Sequence, residues 1–203
     1  MTFQHLSSAQ KDVLRELSNI GMGHAATALS RMIGRPLMVE VPAVRVVDLA
    51  EVPNLVGGPE HEVAGVVLRL EGDASGHMLL VLAEPDAAVL AGLLLGQTAG
   101  TLDGDLERSA LQELANVIGS CYLSVLGDML NLRLRPSIPF LAVDMAGAVV
   151  DQVLGELGCH GDLALLLETR FTCAGADNVR GHLFLLPDPP TLEVLLQAAG
   201  GVG

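Results

Sequence analysis

The 203-residue chain is written twice. The segment from Asp12, DVLRELSNIGMGHAATALSRM, aligns without gaps with SALQELANVIGSCYLSVLGDM from Ser109. The offset is 97 residues: Leu14 falls on Leu111, Glu16 on Glu113, Asn19 on Asn116, Met32 on Met129 and, further on, Pro42 on Pro139. A second block, GHMLLVLAEPDAAVLAGLLLG from Gly76, resembles GHLFLLPDPPTLEVLLQAAG from Gly181 at an offset of 105, so the second copy carries a few extra residues between blocks. Two repeats are too few for a solenoid, whose units need several neighbours to bury their faces. The duplication instead predicts a single pseudo-twofold domain over residues 1–203. Its halves span about 7–96 and 106–200, and the turn-rich stretch 97–105 joins them.

Each half reads as helix, strands, glycine turn, strand, short helix. Ser7 with Gln10 three residues on forms a capping box at the head of a long helix that Gly34 and Pro36 end near Met32. Strands are expected at Leu37–Val41, continuing through 43–49, and at Glu62–Leu70 and His77–Leu82, before a short helix from Pro85 to Gly96. The second half repeats them: a helix over Leu106–Leu130, strands near 134–138, 141–145, 164–173 and 182–186, and a closing helix from Pro190. An extra amphipathic helix is expected over Ala148–Leu157. The fold class is therefore α/β (α+β) layered, with long helices packed on a largely antiparallel sheet.

On the first long helix Asp12, Glu16 and Asn19 lie within about 60° of one another. Leu14, Leu17, Ile20 and Ala28 are expected on the core side, as is His24, read as a packed histidine. Ser109, Glu113 and Asn116 repeat the stripe on the second helix, opposite Leu111, Leu114, Val117 and Ile118. A polar stripe on a surface helix ordinarily does no more than face water. Here Asn, a poor helix former, recurs in mid-helix at the same phase, which asks for a further reason. A carboxylate and a carboxamide one turn apart are a chemical pair: the amide both donates and accepts hydrogen bonds, so it can hold a water in line with phosphorus. The first helix also holds Gly21 and Gly23, expected to allow close approach of another element, or clearance for a partner beside Asn19.

Composition narrows the remaining choices. With four Phe, one Tyr and no Trp, stacking platforms for single-stranded nucleic acid are nearly excluded. A formal charge of −13 repels phosphate backbones and anionic lipid, and favours a partner that offers lysine. Despite a mean hydropathy of +0.49, the most apolar stretch, from Met78 to Leu95, is interrupted by Glu84-Pro85-Asp86, so no spanning helix and no membrane insertion is expected. The N-terminal sequence shows no signal-peptide pattern. Cys121, Cys159 and Cys173 form no metal-binding spacing and read as small buried thiols in a reducing cytoplasm. No P-loop, nucleophile elbow or zinc-protease motif is present. A helix face without its own nucleophile or metal works only on chemistry that another protein supplies.

The doubled pattern Asp/Ser-x3-Glu-x2-Asn-x22-Pro (Asp12, Glu16, Asn19, Pro42; Ser109, Glu113, Asn116, Pro139) resembles that of the CheC family of chemotaxis proteins, within the CheC/CheX/FliY phosphatases. NIGMGHAATALS after Asn19 and PFLAVDMAGAVV from Pro139 support the resemblance, which runs over essentially the whole chain. It implies a phosphatase for the phosphorylated response regulator CheY. Glu16 and Glu113 would contact the regulator's lysine, and Asn19 and Asn116 would orient the attacking water. Asp12, Ser109, Pro42 and Pro139 would support the two sites. No cofactor of its own is implied, because the Mg²⁺ would come with CheY. It also implies CheD, a receptor deamidase, as a second partner, docked on the 148–157 stretch around Asp151. Two alternatives stay open: an adaptor that mainly binds CheD with weak hydrolysis, and a flagellar rotor component like the middle domain of FliM. That relative lacks the Glu/Asn pairs, and no appended rotor domain is read here. Arg45, Asp48 and Asp144 are given no role.

Overall fold

The computed structural model describes residues 7–97, 100–157, 163–173 and 179–201. In chain order the elements are α1 (Ser8–Ile33), β1 (Leu37–Asp48), a short 3-10 turn (Leu49–Glu51), α2 (Val52–Leu55), β2 (Glu62–Gly72), β3 (Gly76–Ala83) and α3 (Glu84–Leu95). Then follow α4 (Asp105–Leu130), β4 (Leu134–Pro136), β5 (Phe140–Met145), α5 (Ala146–Leu157), β6 (Leu163–Cys173), β7 (Val179–Pro187) and α6 (Pro189–Gly201). The mixed, layered fold class expected from the sequence is what the chain adopts. The 3-10 turn with α2 is an addition: Asp48 caps it by accepting from the Ala50 N–H at 2.9 Å. Positions 98–99, within the expected joint, and Cys159 lie outside the described residues.

Local chemistry sets the helix ends. Ser7 Oγ accepts from the Gln10 N–H, and Gln10 Oε1 accepts from the Ser7 N–H, so two otherwise orphaned donors at the head of α1 are satisfied. Gly34 takes the left-handed conformation (φ 70°) that ends α1, and Asn131 (φ 55°) does the same for α4.

The described strands form one seven-stranded antiparallel sheet in the order β1-β6-β7-β3-β2-β4, with β5 also on β2. The order shows how the duplication is used. The first strand of each copy pairs with the second strand of the other: β1 lies on β6, and β4 with β5 lies on β2. Each copy thus finishes the other's sheet.

Central strands are covered on both faces, which is why they read as unbroken apolar runs. Along β2, Ala64, Val66, Leu68 and Leu70 join the core under α1, α3, α4 and α6, whereas Val63 and Val67 join a second core under α2 and α5. Gly65 leaves room for α5, since a Cβ there would come within 2.4 Å of Val149 Cγ1. On the other face α1 meets α4 at Gly21, where an added Cβ would stand 3.1 Å from the Tyr122 Cα. Tyr122 is 2% exposed, and burial pushes its phenol up to about 12 against the effect of a hydrogen bond with Ser18.

Five placements differ from the helical-wheel expectation. Ile20 and His24 are exposed, while Leu17, Ala28 and Val117 are only half-buried. The wheel assumes that a helix rests on one neighbour; α1 instead rests on β1 and α4, and its buried line runs through Leu14, Ser18, Gly21, Met22, Ala25 and Leu29. Gly23 has nothing within 4 Å of a Cβ added there, which leaves only the clearance alternative for it. Close approach explains Gly21 and does not explain Gly23.

The two glycines should therefore respond oppositely in urea denaturation. Gly23→Ala should raise the unfolding free energy by about 0.5–1 kcal/mol through helix propensity. Gly21→Val should lower it by about 2–3 kcal/mol through overpacking against Tyr122. Equal responses would contradict the helix seam.

Candidate functional site

Both motif prolines sit where an edge strand bulges. Between the pairs Glu40↔Arg170 and Ala43↔Glu168, β1 contributes Val41 and Pro42 while β6 contributes Thr169 alone. Between Leu70↔Pro136 and Val67↔Phe140, residues 137–139 face only Leu68 and Arg69 of β2. Proline has no N–H for the ladder, so an edge strand carrying one accommodates it by a bulge. The bulge leaves backbone groups in need of partners.

In the first copy the helix supplies them. Asn19 Oδ1 accepts from the Val41 N–H at 2.9 Å, and Asn19 Nδ2 donates to the Val41 C=O at 3.3 Å. The 22 residues from Asn19 to Val41 are the spacing that brings α1 back over the bulge of its own strand. Val41 is 1% exposed as a result. Glu16, exposed, stands one turn before Asn19. Asp12, also exposed, pairs with Arg15 at 3.0 Å.

In the second copy other groups do the work. Ser137 ties the bulge to β2: its Oγ accepts from the Arg69 N–H and its own N–H donates to the Arg69 C=O, both at 2.9 Å. Gln112 Nε2 donates to the Pro139 C=O at 3.0 Å. Asn116 is thereby released. Among the described residues its carboxamide makes no hydrogen bond, and it lines an open cleft of about 350 Å³ with Ser109, Gln112, Glu113, Pro139 and Ile138. Glu113 is exposed and Asn116 half-buried.

The structure thus gathers each copy's motif on one face, at opposite edges of the sheet, and leaves the two carboxamides in different states. Asn19 has both hydrogen-bonding ends occupied by backbone, whereas Asn116 has both available. Gln112, Ser137 and Ile138 were not singled out from the sequence. The only hint of them was Pro136-Ser-Ile-Pro139, in which two prolines bracket a short segment.

The other candidates resolve simply. Arg45 pairs with Glu168 at 2.6 Å across β1 and β6, and Asp144 accepts from the next backbone N–H, so both act locally. Cys173 is buried; Cys121 is half-buried, and burial pushes its thiol up. On α5, Val149, Val150 and Val153 face the core while Asp151 is exposed. Among the described residues no group of three or more His, Cys, Asp or Glu is arranged to hold a metal, and no helix is long and apolar enough to cross a membrane.

Comparison with known proteins agrees with the motif. The model of the CheC-like family matches residues 10–46, which contain the first motif copy whole. The protein named CheY-P phosphatase CheC of Bacillus subtilis is 34% identical over 203 residues, covering 98% of this chain and 97% of that protein. Among solved structures, Thermotoga maritima FliY superposes with a TM-score of 0.78 at 21% identity, covering 96% of this chain and 98% of that one. The FliM middle domain of H. pylori gives 0.70 at 12% identity, over 95% of this chain and 99% of that one. At such identities the two structural matches speak for the fold alone.

The unequal carboxamides predict unequal structural costs. Asn19→Ala should destabilise the chain by about 1–3 kcal/mol, because it strands backbone groups at the β1 bulge. Asn116→Ala should stay within about 0.5 kcal/mol of the parent. Thermal and urea unfolding of the two variants check this, and a costly Asn116→Ala would show that the second carboxamide is also structural.

Proposed function

The chain belongs to the CheC family, and from that premise we propose that it hydrolyses the aspartyl phosphate of CheY-P, chiefly at Glu113 and Asn116. The observation that carries the choice of site is the unpartnered Asn116 carboxamide beside Glu113 in an open cleft. Water attacks phosphorus; the new P–O bond forms as the bond to the aspartyl oxygen breaks, and carboxylate and inorganic phosphate separate. The water's two protons leave with the phosphate. Asn116 Oδ1 accepts a hydrogen bond from the water and turns an oxygen lone pair towards phosphorus, in line with the leaving carboxylate. Glu113 pairs with a lysine of the partner, and the Mg²⁺ arrives with CheY-P. Ser109 and Pro139 shape the cleft around them.

Glu16 and Asn19 form the other, first-copy site, with Asp12 and Pro42 in support. To act, Asn19 has to give up two hydrogen bonds to Val41. That cost lowers the population of competent first sites. The same premise supports CheD as a further partner, docked on α5 through exposed Asp151, and the cytoplasm as the compartment where these proteins meet. The likeness to the FliM middle domain speaks for the fold alone, and the Glu/Asn pairs favour the phosphatase reading over a rotor one.

Decay of ³²P-labelled CheY tests the reading. Asn116→Ala should remove most of the acceleration, roughly 10²-fold at the second site, whereas Asn19→Ala should remove only a minor share. Wild-type decay no faster than that of CheY alone would sink the proposal. For CheD, Asp151→Lys should abolish co-purification while leaving CheY-P decay unchanged; intact co-purification would remove α5 from the interface.

A further inference from the structure

The two copies differ at one position in a way that folding does not require. Val41 in the first copy is buried at 1% exposure; its counterpart Ile138 is 91% exposed. A lone exposed aliphatic side chain needs no explanation. Ile138 is not of that kind. It stands on a bulge held rigid by Pro136 and Pro139 on either side, by two hydrogen bonds between Ser137 and Arg69, and by Gln112 on the Pro139 carbonyl. It is therefore presented in a fixed orientation rather than left on a loose loop. Beside it Phe140, at 50% exposure, opens a second groove of about 570 Å³ with Arg69, Glu71 and His77 on its rim. Ser137 and Ile138 line both this groove and the cleft that holds Glu113 and Asn116, so Ile138 stands at the sheet edge where the two meet, with Phe140 and Val67 on the sheet face away from α4.

We propose that Ile138 is the docking anchor that seats the phosphorylated CheY receiver domain over Asn116. The proposal rests on the reading of the second site given above and adds how the partner is recognised there. Its occupant follows from continuity: Ile138 and Asn116 share a cleft, so a protein that carries a phosphoryl group to Asn116 covers Ile138 as it does so. A rigid aliphatic residue at the centre of such a contact loses little entropy on binding, which is how a few anchors come to carry most of an interface's affinity. The partner must offer an apolar recess next to its phosphoaspartate. The first copy, whose Val41 is turned inward, has no counterpart of this anchor at that position.

The test separates docking from chemistry. With beryllofluoride-activated CheY as probe, Ile138→Ala should weaken the Kd roughly tenfold, and Ile138→Asp more strongly. With CheY-P, Ile138→Ala should raise KM by a similar factor and leave kcat within about twofold. Asn116→Ala should show the reverse, lowering kcat with Kd unchanged. Met38→Ala, on β1 and also exposed, should alter neither. Unchanged Kd and KM in Ile138→Asp, alongside a lost rate in Asn116→Ala, overturns the anchor and leaves the second-site reading standing. Loss of self-association in Ile138→Asp with KM unchanged also overturns it, assigning the face to a second copy of the chain. A wild-type chain that does not accelerate CheY-P decay overturns both.

Discussion

A proline in an edge strand cannot donate to the ladder, and much of this molecule follows from that. Each copy places one such proline where its first strand lies on the other copy's second strand. The ladder answers with a bulge, and the bulge needs hydrogen bonds from somewhere other than the neighbouring strand. The long helix of the same copy runs past it and supplies them, through Asn19 in one half and Gln112 in the other. The proline also closes the sheet edges to further strands, which protects a chain this rich in Leu and Val from pairing edge to edge.

The duplication then gave the two halves freedom to diverge at that point. Where Asn19 serves the backbone, the neighbouring Val41 is pulled inward and the edge is sealed. Where Ser137 and Gln112 take over, Asn116 is released and Ile138 turns outward. One amide is bound to backbone while, among the described residues, its duplicate makes no hydrogen bond, and the exchanged strands hold both edges in one sheet. The two edges lie at opposite ends of one sheet, separated by β6, β7, β3 and β2.

Much of this was legible in the sequence because it is local. The capping box at Ser7, the stop at Gly34, the alternation in β1 and the turn between β2 and β3 depend on residues a few positions apart. Apolar runs marked the central strands, and the repeated Glu-x-x-Asn marked the stripe on both helices. Ile20 and His24 were misplaced because a wheel drawn for one contact face cannot know that α1 leans on both β1 and α4. Gly21 was legible as a point of close approach; Gly23, which touches nothing, was not separable from it.

By itself the sequence determined the duplication, the layered fold class, the element boundaries to within a few residues, and which side chains compose the two motifs. Periodicity, caps and spacing are near-neighbour properties, and they survive without knowledge of the fold. Only the tertiary structure decided that the copies exchange edge strands, that Asn19 is bound to Val41 while Asn116 is free, and that Ile138 faces solvent where Val41 does not. Those outcomes turn on which of several eligible groups lies within reach of each bulged backbone, and that is settled by packing across residues far apart in the chain.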